Sequence, residues 1–69
     1  MSGEQELRLA EAVRDACIRA WREGYEEAGM SGLCAEGALE AALSAVQRLD
    51  LNAVVAAALD QKTNDNYKE

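Results

Sequence analysis

Two thiols are the side chains of this sequence best suited to do chemistry. The chain of 69 residues contains Cys17 and Cys34 and no histidine. A thiol near the start of a helix can ionise, because the helix dipole stabilises the thiolate. Cys34 is expected at such a position, but Glu36 and Glu40 follow it, their charge opposes a thiolate, and no CxxC pair is present. We therefore expect both thiols to be buried as small apolar residues, with a redox role for Cys34 as the alternative.

The chain lacks the residues that other common catalytic, metal-binding and phosphate-binding sites require. Without histidine the most frequent general acid or base is missing, and no serine has a base at a recognisable spacing. Structural zinc takes four Cys or His ligands, and two thiols cannot supply them. The glycines at Gly29 and Gly32 have no lysine beside them to hold a phosphate. The sequence predicts no catalytic, cofactor-binding or metal site, and a protein that is not an enzyme.

The two cysteines are not expected to form a disulfide. A helical turn near Ser31 would put Cys17 and Cys34 at heights that differ by roughly 16 Å, whereas a disulfide needs Cα atoms within about 7 Å. Free thiols are typical of a reducing compartment. No apolar run is long enough to span a membrane, and the N-terminal residues are acidic rather than basic. We expect a cytoplasmic protein that does not bind membranes.

The charge of the chain is strongly negative. Its formal value is −6, with 13 acidic and 7 basic residues. Direct nucleic-acid binding is not expected, because it requires clustered Lys and Arg to neutralise phosphates. Five carboxylates are expected to meet at the turn between the first two helices and form a possible acidic tip, namely Glu23, Glu26, Glu27, Glu36 and Glu40. This tip would suit a basic partner surface, although an ordinary solvated end explains it as well.

Large apolar residues along the first helix form a second candidate site. Ile18, Trp21 and Tyr25 follow each other at helical spacing on the edge of the apolar face. Aromatic residues at the centre of an interface often carry much of its binding energy, so these three are possible partner-binding residues. The alternative is that the third helix folds back and covers Trp21 within one chain.

The periodicity of apolar residues predicts three helices. They are expected at about 4–28, 32–49 and 52–61, in a single helical domain at 1–61, with a flexible C-terminal tail at 62–69. Gly29 is expected to end the first helix in a left-handed conformation, and Ser31 to cap the second. Asp50 and Asn52 are good caps for the third helix, so a bend is expected there.

These elements predict an all-α fold. Small residues on the facing sides of the first two helices, joined by a short turn, indicate an antiparallel helical hairpin with a short third helix, assembling as a dimeric helical bundle. The predicted function is a non-catalytic protein–protein interaction module that acts as a homodimer and docks on a larger protein. The alternative is an acidic regulator or inhibitor that binds a basic surface of its partner through the hairpin tip.

Overall fold

The computed structural model describes the backbone of residues 2–68 and the side chains of residues 3–60. Its elements are three α-helices, α1 (Ser2–Met30), α2 (Ala35–Gln47) and α3 (Leu51–Lys68). No strand occurs in this described part of the chain, so the predicted all-α class is confirmed. The predicted tail at 62–69 lies outside the residues whose side chains are described.

The end of α1 is set by Gly32 and not, as predicted, by Gly29. Gly29 is helical, and Gly32 has a φ of 94°, a conformation that glycine adopts without strain. The N–H of Leu33 donates to the carbonyl of Ala28, and the N–H of Gly32 to that of Gly29, which together form a Schellman ending. The predicted type of ending is therefore present, three residues further along the chain.

The start of α2 also differs from the prediction. Its N-cap residue is Cys34, whose backbone is extended with φ −73° and ψ 173°. Ser31 instead donates its hydroxyl back to the carbonyl of Glu27 in the last turn of α1. The Leu33 side chain lies over Gly37, where an added Cβ would come within 3.2 Å of Leu33 Cδ2. Leu33, the residue before the N-cap, therefore packs against the first turn of α2.

The start of α3 follows the expected capping chemistry. The carboxylate of Asp50 accepts a hydrogen bond of 3.1 Å from the N–H of Ala53. The carbonyl of Asp50 also accepts from Val54, the first intrahelical bond of the new helix. Asp50 is thus the N-cap residue, as its residue type predicted.

The chain divides into two compact units. A central unit comprises Ala16–Leu49, and a terminal unit combines Met1–Asp15 with Asp50–Glu69. Among residues 3–60 the buried apolar side chains are alanines of the central unit, Ala28, Ala38 and Ala42. In the terminal unit Leu9, Val13, Val54 and Val55 are half-buried, whereas Leu7, Leu51 and Leu59 are exposed. The described core is therefore built from methyl groups.

Among the described residues, no single helix has both the length and the apolar composition to cross a bilayer. The pair formed by Ala35–Gln47 and Leu51–Asp60 meets the criteria when the two are counted together across a bend.

Candidate functional site

The central unit is held together by a close contact between α1 and α2. A Cβ added at Gly24 would lie 3.0 Å from the Cβ of Ala45, 3.1 Å from the Cα of Ala42 and 3.3 Å from the carbonyl oxygen of Ala41. Carbon atoms normally pack at about 3.5–4.0 Å, so there is no space for a side chain at this position. Gly24 lets the two helix backbones come together, and the residues around this contact are correspondingly small.

The three predicted partner-binding residues are all exposed in the structure. The exposed fractions are 49% for Ile18, 39% for Trp21 and 36% for Tyr25. The rings of Trp21 and Tyr25 stack on each other with centroids 5.2 Å apart and planes 5° apart. The two rings therefore pack against each other as one aromatic pair, with part of each side chain left exposed.

Two leucines of α2 are exposed in the same way and were missed as site residues. Leu39 is 48% exposed and Leu43 is 55% exposed. Sequence periodicity placed both at the margin of the buried face of the second helix. Each directly follows a buried alanine, Ala38 or Ala42, in the sequence.

A groove of about 420 Å³ runs along the contact between α1 and α2. Its walls are mostly small residues and Leu33, and its charged members are Glu23, Glu27 and Arg48. The exposed residues Trp21, Tyr25, Leu39 and Leu43 are not among the residues that line it. The central unit thus presents a groove with both charged and apolar walls and, separately, a set of large apolar side chains.

The five carboxylates of the predicted acidic tip are all exposed. Glu23 and Glu27 line the groove together with Arg48, while Glu26, Glu36 and Glu40 lie outside it. The groove is therefore lined by the positively charged side chain of Arg48 as well as by carboxylates. Only two of the five residues predicted for the acidic tip belong to it.

Cys34 is exposed, contrary to the prediction that it is buried, whereas Cys17 is half-buried, and both are free thiols. Cys34 is exposed because it is the N-cap residue of α2, and its side chain makes no capping hydrogen bond. The N–H groups of Gly37 and Glu36 nevertheless favour the thiolate and hold the pKa of the Cys34 thiol below its ordinary value. The carboxylates of Glu36 and Glu40, which were expected to oppose the thiolate, are not among the causes of this shift.

No group of three or more Cys, Asp or Glu side chains in the described part of the chain is placed to hold a metal ion. The described surface offers apolar contact, charged contact and one exposed thiol. Comparison with protein-family models, with curated proteins and with solved structures finds no match to this chain.

Proposed function

We propose that this chain is a small, non-catalytic, cytoplasmic protein–protein interaction module that acts as a homodimeric helical bundle. The observation that carries the proposal is the imbalance between what the chain buries and what it exposes. Among residues 3–60 the buried apolar side chains are three alanines, while ten large apolar side chains are exposed. A chain of this size has little stability to spare, and oligomerisation is a common way to supply it.

The building block of the dimer would be an antiparallel helical hairpin formed by α2 and the second half of α1. Two observations support this arrangement. The connection between Met30 and Ala35 is short, which is typical of antiparallel neighbours. Gly24, near the end of α1, contacts Ala42 in the middle of α2. Such a hairpin leaves one apolar side of each helix for a second hairpin to cover.

The native mass of the chain tests the proposal. Size-exclusion chromatography with light scattering, at two protein concentrations and at low and high salt, should give a mass twice that of the 7.4 kDa chain. The dimer should resist salt, because apolar burial holds it together. A folded monomer at high protein concentration would contradict the proposal.

A second candidate function is the binding of a basic partner surface through the acidic residues. It is favoured by the exposure of the five carboxylates and by the presence of two of them in a groove. Oligolysine can serve as the probe in a titration at increasing salt, and binding should weaken as the salt rises.

Matched double variants distinguish binding through a defined surface from binding through net charge alone. The double variant Glu23→Gln with Glu27→Gln should weaken oligolysine binding more than Glu4→Gln with Glu6→Gln, which removes the same charge elsewhere on α1. If the two variants lose oligolysine binding equally, binding depends only on the net charge of the chain. That result would rule out a function directed to the groove.

A further inference from the structure

A repeated pair of residues, one small and one large, organises the exposed apolar side chains of the central unit. Five of the seven exposed large apolar side chains of this unit directly follow a residue that is small and at least half-buried, whereas Met30 and Leu33 follow exposed glycines. The pairs are Cys17–Ile18, Ala20–Trp21 and Gly24–Tyr25 on α1, and Ala38–Leu39 and Ala42–Leu43 on α2. One residue step rotates a side chain by about 100° around the helix axis. The large residues therefore lie at a constant angle from the helix contact on both helices.

In an antiparallel pair this constant angle brings both sets to the same side. The two helices are related by a two-fold axis perpendicular to the plane that contains them, and a rotation about that axis leaves the two sides of the plane unchanged. The groove lies on the opposite side of this plane. Three of its lining residues, Glu23, Glu27 and Ala41, each directly precede a residue of the helix contact, and the large side chains directly follow one. Ile18, Trp21, Tyr25, Leu39 and Leu43 then form one continuous apolar face, which we call the 18–43 face.

The 18–43 face has the area needed at the centre of a dimer interface. Its five residues are between 36% and 55% exposed. If each fully exposed side chain presents about 200 Å², they offer roughly 450 Å² of apolar surface. A standard interface buries about 800 Å² per partner, with an apolar centre and a polar rim. The face supplies the centre, and the charged residues beside it supply the rim.

The two edges of the face carry opposite charge. The residues that follow the large side chains on α1 are Arg19, Arg22 and Glu26, a net positive edge, and Arg22 is the closest of them to the face. On α2 the corresponding edge carries Glu40, with Glu36 one turn before it. A face with a positive edge and a negative edge is complementary to a second copy of itself, provided that α1 of one copy lies over α2 of the other.

We infer that the 18–43 face is the surface through which two copies of this chain associate, with α1 of each hairpin packed across α2 of its partner. This inference rests on the proposed dimer and specifies its interface. A pairing of α1 with α1 would instead bring the Arg22 side chains of the two copies towards each other. The groove stays outside the interface and is free for the larger partner.

The first experiment substitutes one residue in the face and one outside it. Leu43→Glu should raise the dissociation constant of the dimer about a hundredfold or more, as measured by sedimentation equilibrium, because a buried leucine is lost from both copies. Met30→Glu is the matched control, because Met30 is an exposed apolar residue outside the face, 83% exposed in the structure. Its dissociation constant should stay within about threefold of the wild type.

The single tryptophan gives a test without substitution. Trp21 is the only tryptophan of the chain and lies in the face. On dilution through the dissociation constant, its fluorescence should shift to longer wavelength as the indole becomes exposed to water. A dimer that dissociates without this shift would contradict the inference.

A charge exchange tests the relative orientation of the two copies. Arg22→Glu or Glu40→Arg alone should weaken the dimer about tenfold, because each places like charges together twice in the symmetric interface. The double variant Arg22→Glu with Glu40→Arg should regain most of the loss. If the dissociation constant of the double variant is no lower than that of the more weakly dimerising single variant, the α1-over-α2 arrangement is overturned.

The outcomes separate the inference from the proposed function. A wild-type dimer that Leu43→Glu leaves intact would overturn the inference about the face and leave the dimeric function standing. A wild-type monomer would contradict both.

Discussion

Gly24 determines how closely the two helices of the central unit approach. Replacing it with alanine puts a methyl group 3.0–3.3 Å from atoms of α2, two of which belong to the backbone and cannot rotate away. We expect Gly24→Ala to lower the free energy of unfolding by about 1–2 kcal/mol, although alanine is the better helix former by about 1 kcal/mol. Urea unfolding followed by circular dichroism measures the change.

Gly29 provides the control for this substitution. It is helical, lies in the same helix, and has no atom within 4 Å of an added Cβ. Gly29→Ala should therefore raise the free energy of unfolding by up to about 1 kcal/mol. If both variants were stabilised, the close approach at Gly24 would be refuted.

The exposed thiol of Cys34 should react faster than that of Cys17. The N–H groups of Gly37 and Glu36 lower its pKa, so more of it is thiolate at neutral pH and its alkylation rate reaches its midpoint at a lower pH than that of an ordinary thiol. Iodoacetamide rates measured against pH on Cys17→Ser, which retains Cys34, and on Cys34→Ser, which retains Cys17, give this comparison. Equal rates and equal midpoints for the two variants would contradict the prediction.

At the scale of the elements, Gly32 is the residue that ends α1. Its φ of 94° is unfavourable for residues with a Cβ. Gly32→Ala should cost about 1–2 kcal/mol of stability, and Gly32→Asn should cost less, because asparagine tolerates positive φ better. Thermal unfolding of both variants orders them, and an alanine variant as stable as the wild type would show that the turn adopts another conformation.

Part of the helical structure and of its capping could be predicted from the sequence. The density of Ala, Leu, Glu and Arg and the spacing of apolar residues predicted the all-helical class, and the residue type of Asp50 predicted its cap. The glycine that ends α1 was predicted wrongly, as Gly29 instead of Gly32, because the two are equivalent as residue types. The choice between them depends on which carbonyls of the last helical turn find a donor, and residue types alone do not encode this.

The candidate site was predicted on one helix and missed on the other. Trp21 and Tyr25 were recognisable because large aromatic residues on a helix edge are uncommon in a chain with so few of them, and Ile18 follows from its helical spacing to Trp21. Leu39 and Leu43 were not, because a leucine beside buried alanines is normally buried too. They are exposed because the contact through Gly24 is narrow and leaves only the alanines of α2 covered.

At the scale of the whole molecule, a dimer should become more stable as its concentration rises. Unfolding releases two chains, so mass action favours the folded dimer at high concentration. A tenfold increase in protein concentration should raise the Tm of the wild type by about 5 °C. Differential scanning calorimetry at two concentrations measures the shift, and a Tm independent of concentration would contradict the dimer.

The short connection between α1 and α2 also has a consequence for the order of folding. Gly24 and Ala42 touch although they are only 18 positions apart (42 minus 24), so their encounter requires the closure of a small loop. Loops of this size close in well under a microsecond, and helical proteins with local contacts fold in microseconds to milliseconds. The meeting of two chains is slower at micromolar concentration. We expect the refolding of the proposed dimer to be limited by the collision of two chains, so its half-time should halve when the concentration of the chain is doubled.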